Sequence, residues 1–179
     1  MAPSVFPVQT LLCTLLVLTF PLRSFCQSSD PDDLSFINKW AAIGDSYAAG
    51  IGAGNVVDKS CSRYEGSHAN LVNVQLGEDR TDIGFTYIAC SGAKIPAITA
   101  QANPLDGGQQ MITISTGGND AQLIVALNDS VFTFKGLFSG SCGATLDNIQ
   151  TIIDSADFSP SIDGLISTAK SKLGPGRTM

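Results

Sequence analysis

Residues 39–54 read KWAAIGDSYAAGIGAG, and the first half of that run decides the fold. Lys39 to Gly44 is a short apolar stretch that empties into a Gly-Asp-Ser turn. Apolar residues without alternation, closed by a polar turn, fit a strand buried on both faces of a parallel sheet. Gly50 to Gly54 continues as a glycine-rich loop, without the Lys and the spacing of a phosphate-binding loop.

Further along the chain the same pattern returns twice. Gly84 to Cys90 (GFTYIAC), rich in aromatic and β-branched residues, predicts a second strand and runs into Cys90-Ser91-Gly92-Ala93. Gln110 to Ser115 (QMITIS) predicts a third and runs into TGGND at Thr116 to Asp120. A helix is expected over Glu65 to Leu76, ended by Gly77, and Ala121 to Leu127 opens another. Asp147 to Ile153 and Ser161 to Lys172 have helical character, the latter stopping at Gly174-Pro175. No strand is predicted after Ile153. Alternating strands and helices imply an α/β fold with a parallel sheet covered on both faces. Trp40, the single Trp, belongs in the core beside the first strand.

The amino end reads differently. Leu11 to Phe20 (LLCTLLVLTF) is an apolar run followed by Pro21 and the small or polar residues Ser24, Cys26 and Ser28, the pattern of a secretory leader. A membrane span needs roughly 20 apolar residues, so no stable membrane anchor is expected. Residues 1–26 are read as the signal peptide, 27–35 (QSSDPDDLS) as a flexible mature terminus, and 36–179 as one domain, secreted and extracellular. A net charge of -6 with ten scattered basic residues excludes a nucleic-acid partner.

Secretion makes the cysteines candidates for bridging. Cys13 and Cys26 fall in the leader, and Cys61, Cys90 and Cys142 cannot all pair. A Cys61 to Cys90 bridge would stabilise the fold by about 3 to 4 kcal/mol in the chain-entropy model and would leave Cys142 over. No CxxC pair is present and the chain has one histidine, so no metal or other cofactor is expected.

The three polar turns each follow a strand, and in an open parallel sheet the carboxyl ends of neighbouring strands share one edge, where ligands bind. Acyl transfer needs an exposed hydroxyl nucleophile and donors aimed at the oxygen that becomes negative. Ser46 offers the hydroxyl and its own N–H, Gly92 a second backbone N–H, and Asn119 a side-chain amide. Asp45 and Asp120 read as turn-forming acceptors, and Arg63 as a structural ion-pair partner. Ala48 stands where a nucleophile elbow has its second Gly, which disfavours an α/β-hydrolase. Asn128-Asp129-Ser130 is a glycosylation sequon.

On these residues the chain resembles the SGNH (GDSL-type) ester hydrolases. AIGDSYAAGIGAG at Ala42 to Gly54 looks like their first block, CSGA at Cys90 to Ala93 like the second and TGGND at Thr116 to Asp120 like the third, in matching order and spacing. Cys61-Ser62-Arg63 before an apolar helix is similar to the secreted lipase-like subgroup. The resemblance implies a three-layer αβα, flavodoxin-like fold with a parallel sheet, incomplete at its C-terminal end. It implies esterase or lipase-like hydrolysis of a small-molecule, lipid or polysaccharide ester, with Ser46 as nucleophile and Ser46, Gly92 and Asn119 forming the oxyanion hole. It also implies a Cys61 to Cys90 disulfide.

One block is missing. The family takes its general base from an Asp-x-x-His motif near the carboxyl end, and this sequence has none. Its one histidine, His68, lies before the second block and reads as a structural or solvated helical side chain. Together with the abrupt GPGRTM ending and Cys142, this implies a truncated chain that is inactive or barely active alone. The rival function is a secreted, non-catalytic protein that keeps the cleft to bind an acyl or carbohydrate ligand.

Overall fold

The computed structural model describes residues 34–77, 81–132 and 141–174. The leader, Cys13, Cys26 and Pro175 lie outside them. In chain order the elements are β1 (Lys39–Gly44), α1 (Ser46–Ala49), β2 (Val56–Asp58), β3 (Arg63–Tyr64), α2 (His68–Leu76) and β4 (Gly84–Tyr87). They continue with α3 (Ile95–Ala102), β5 (Met111–Ser115), α4 (Leu123–Leu127), a π-helical turn (Asn128–Phe132), α5 (Ser141–Ile153) and α6 (Phe158–Lys170).

β1 is the centre of a parallel sheet with strand order β4-β1-β5. Its register runs from Lys39 opposite Gly84 to Ala42 opposite Tyr87 on one side, and from Trp40 opposite Met111 to Gly44 opposite Ser115 on the other. Every residue from Trp40 to Gly44 is buried, as a strand with layers on both faces requires. β2 and β3 form a separate antiparallel pair.

Strand alternation divides β1 between two cores. Trp40 and Ala42 pack with Ile37 and with Ala69, Val72 and Leu76 of α2. Ile43 packs with Ile95, Ile98 and Ala102 of α3 and with Phe158, Ile162 and Leu165 of α6. These are the three layers of an αβα sandwich. Trp40 is fully buried, stacks on Phe85 at 4.4 Å and donates its indole N–H to Asn73 Oδ1 at 3.2 Å. Its apolar ring is thereby buried without an orphaned donor.

Boundaries shift for local reasons. The helix expected from Glu65 starts at His68, because Ser67 caps it by accepting the Asn70 N–H at 3.3 Å, and it ends at Gly77. The ladder expected to Cys90 is regular only to Tyr87, yet Ile88 and Cys90 still donate to Ala42 O and Gly44 O. The helix expected from Ala121 starts at Leu123, after Gln122 turns into the left-handed region with φ +58°. The two later helices begin upstream of expectation, at Ser141 and Phe158. After Ile153 the described residues hold no strand beyond a single bridge between Gln109 and Leu173.

The short α1, the π-helical turn, the β2–β3 hairpin and α3 were not anticipated. The hairpin of β2 and β3 is held by Arg63, which pairs with Asp58 and donates to Ala89 O at 3.2 Å. α3 carries Pro96 in its first turn, where the missing N–H costs nothing, and buries Ile95, Ile98 and Ala102.

Candidate active site

The helices set where a ligand can enter. The connection from β1 to β4 passes α2 on the Trp40 face, and the connection from β4 to β5 passes α3 on the Ile43 face. The chain that leaves β1 packs α2 on the Trp40 face, whereas the chain that leaves β5 returns to pack α6 on the Ile43 face, which puts a topological switch point between these two neighbouring strands.

At that point β1 ends in Gly44, with φ +141°. A Cβ there would fall 2.6 Å from Ser115 O, so glycine is what lets β1 and β5 close together. The Gly44 peptide is clamped by Gln101 of α3, whose Oε1 accepts the Gly44 N–H at 2.7 Å and whose Nε2 donates to Gly44 O at 3.0 Å. Asp45, 2% exposed, accepts the Ser115 hydroxyl at 2.6 Å and the Tyr47 N–H at 3.1 Å. It is a turn-forming cap, committed to holding the two strand ends. Ser46 follows as the first residue of α1, half-buried. In that position its N–H has no intrahelical acceptor.

The other two turns are locked to one another. Asn119 donates an amide hydrogen to Ala93 O at 2.9 Å, and both Asp120 carboxylate oxygens accept the Ile95 N–H, at 3.1 and 3.2 Å. Asn119 keeps a second amide hydrogen. Ser91 donates to Cys61 O and Ala93 to Cys90 O, on either side of Gly92. Gly92 has φ +79°, and a Cβ there would meet nothing within 4 Å. Its glycine is therefore needed for backbone conformation, not for space. Cys61 and Cys90 are joined by a disulfide, 29 residues apart in sequence.

A cleft of about 480 Å³ opens here, within the usual range for small-molecule sites. Ser46 and Asn119 line it together, with Tyr47 and Ile51 beside them. Gly92 is outside the lining, exposed in the neighbouring turn. His68, first residue of α2, lies at the same cleft and is exposed, and among the described residues it makes no hydrogen bond to Ser46. Gln101, Ser115 and the position of His68 had no signal in the sequence, since each depends on strand register or on helix packing.

Behind the cleft, Tyr87 donates its hydroxyl to Ala48 O at 2.9 Å, under α1. Burial raises its pKa, opposed by a hydrogen bond with Ser67 and by Arg63, whose guanidinium lies 5.4 Å from the ring centre. The Asp58 carboxyl is held below its ordinary range by the Ser60 hydroxyl and N–H and, to a lesser extent, by Arg63. Asn128 is exposed at the end of α4, and Cys142 is half-buried on α5. The described residues hold no group of three or more His, Cys, Asp or Glu able to bind a metal, and no helix long and apolar enough to cross a membrane.

No protein-family model matches the chain. Lipase 1 of Streptomyces coelicolor is 30% identical over 136 residues, covering 74% of this chain and 47% of that protein. A lipase of Streptomyces rimosus is 36% identical over 85 residues, 46% of this chain and 30% of its own length. The chain thus spans about half the length, or less, of the curated relatives it matches. Among solved structures, phospholipase A1 from Streptomyces albidoflavus superposes with a TM-score of 0.63 at 25% identity. The extracellular lipase of Streptomyces rimosus superposes with a TM-score of 0.63 at 27% identity. Each alignment covers 76% of this chain and 56% of the other. The shared parallel-sheet frame and the identity to these lipases place the chain in the SGNH lipase-like family.

Proposed function

We propose that the protein contributes the nucleophile and oxyanion hole of a lipase-like hydrolase of carboxylic esters. The carrying observation is that Ser46 and Asn119 line one cleft at the sheet's switch point. In this reading Ser46 Oγ attacks the ester carbonyl carbon while its proton passes to a general base. The carbonyl oxygen takes the negative charge and is met by the Ser46 N–H, the Gly92 N–H and the second amide hydrogen of Asn119. Collapse of the tetrahedral intermediate expels the alcohol, and water then releases the acid from the acyl-serine.

The base is the weak point of the isolated chain. His68 is its one histidine and is not bonded to Ser46 among the described residues. By the serine-hydrolase template, a nucleophile without its base turns over about 10⁶ more slowly and keeps ~10³–10⁴ over water, so little turnover is expected where His68 does not serve Ser46. Hydrolysis of p-nitrophenyl butyrate and labelling by a fluorophosphonate, each compared with Ser46→Ala, test the reading. Slow labelling confined to Ser46 supports it. Absence of labelling, with acyl ligands bound equally by both proteins, favours the non-catalytic binding protein.

Secretion belongs to the same proposal. The leader pattern of residues 1–26 and the extracellular lipase among the structural neighbours support it. Expression in a secreting host should yield a mature N-terminus between Ser24 and Ser28, with a glycan at the exposed Asn128, both readable by mass spectrometry.

A further inference from the structure

We propose that Gln101 is a positioning residue for Ser46: acting through α3, it sets the turn of the nucleophile at a fixed offset from Asn119. This role rests on Ser46 being the nucleophile and Asn119 an oxyanion donor.

The need for such a residue follows from the size of α1. Ser46–Ala49 is a single turn, and one helical turn fixes several backbone angles for little hydrogen bonding, so it does not hold its own place. Its far end is tied to the Trp40 face of the sheet, where Tyr87 donates to Ala48 O at 2.9 Å. Its near end is tied to β5 through Asp45 and to α3 through the Gly44 peptide.

Gly44 is where the sheet stops supplying all the partners. The Cys90 N–H still reaches Gly44 O at 2.9 Å, but the Gly44 N–H donates to Gln101 Oε1 at 2.7 Å. Gln101 Nε2 fills the second lone pair of Gly44 O at 3.0 Å. One side-chain amide thus stands in for the peptide of a neighbouring strand. Gly44 is buried, so removing Gln101 orphans its N–H, and the peptide has to rotate to find another acceptor. Asp45 and Ser46 rotate with it.

The same helix is pinned to the oxyanion side. Lys94, at its N-cap, makes no side-chain cap bond; Asp120 instead accepts the Ile95 N–H at 3.1 and 3.2 Å. Its neighbour Asn119 donates to Ala93 O at 2.9 Å, just before that helix begins. From Ile95 to Gln101 is about 9 Å of helix, and Ile98 and Ala102 hold it against Ile43. α3 therefore runs from the Asn119 turn to the Ser46 turn, and Gln101 is the contact that transmits the spacing. Gln101 is not part of the cleft lining, so it acts on Ser46 from behind without touching the ester.

Fluorophosphonate labelling of Ser46 tests this in the full chain, because the phosphonyl oxygen is met by the same donors as the ester oxygen. Rates are followed by peptide mass spectrometry, with Ser46→Ala as the blank and with circular dichroism and urea titration to check folding. Gln101→Met keeps the length and removes both hydrogen bonds. It should lower the limiting labelling rate by about 10–100-fold and leave the half-saturating probe concentration unchanged. A double-mutant cycle separates positioning from general loosening. In an Asn119→Ala background, Gln101→Met should cost less than about fivefold, because the donor whose alignment it serves is gone. An unchanged limiting rate, a loss confined to half-saturation, or fully additive losses in the cycle overturns the assignment. Gln101→Leu is the second variant, and failure of both to fold overturns it too, making the clamp a requirement of folding alone. A native chain that is not labelled fails the hydrolase reading and the positioning role together, whereas a labelled native chain with a silent Gln101 fails the positioning role only.

Discussion

Asn119 has two tasks that one substitution separates. Its bond to Ala93 O joins the second and third turns, and its other amide hydrogen is available to the cleft. Asn119→Ala should slow single-turnover acylation of Ser46 by p-nitrophenyl acetate by about 10²–10³, followed by intact mass. Gly44 belongs to folding instead. Gly44→Ala forces a side chain onto the Ser115 backbone at φ +141°, and should cost at least about 1–3 kcal/mol in urea titrations. Ser46, Gly92 and Asn119 could be singled out from the sequence because their residue types are those acyl transfer requires and each follows an apolar run, and the structure brings Ser46 and Asn119 to one cleft. Gln101 could not be singled out, since a glutamine on a helix says nothing about which peptide it will clamp.

Among the elements, the β2–β3 hairpin depends most on groups that acid and reductant can reach. The folded-state pKa of Asp58 lies below its ordinary value of 3.8. Its contribution is thus fully present above that value and is lost as pH falls through the lower folded pKa. Thermal unfolding followed from pH 6 to pH 2 should show Asp58→Asn losing less stability than the native chain below about pH 4. The disulfide ties the same hairpin to the turn of Gly92. Replacing Cys61 and Cys90 together by Ser should cost about 3 to 4 kcal/mol relative to the disulfide-bonded chain by urea titration. The hairpin escaped the sequence reading because Val56–Asp58 and Arg63–Tyr64 are too short for alternation to register. α3 escaped it as well, although Ile95, Ile98 and Ala102 are spaced as a buried helical face.

For the molecule as a whole, the Ile43 core depends on a late helix. Leu165 of α6, 1% exposed, packs with Ile43, Ile98 and Ala102. Leu165→Ala should therefore cost about 2–5 kcal/mol. Emission from the buried Trp40, on the opposite face of the sheet, reports whether the loss is global. A drop in urea midpoint seen equally by Trp40 and by circular dichroism marks one cooperative unit.

The sequence by itself determined the three strand-and-turn units, the two-sided burial of β1 and the residue types available for acyl transfer. Those depend on local periodicity and on the chemistry of single side chains. Only the tertiary structure decided that Ser46 and Asn119 share a cleft, that Gly92 stands outside its lining, and that His68 and α4 form its sides. Those relations follow from parallel register and from the opposite faces taken by α2 and α3, pairings between residues far apart in the chain that no local pattern encodes.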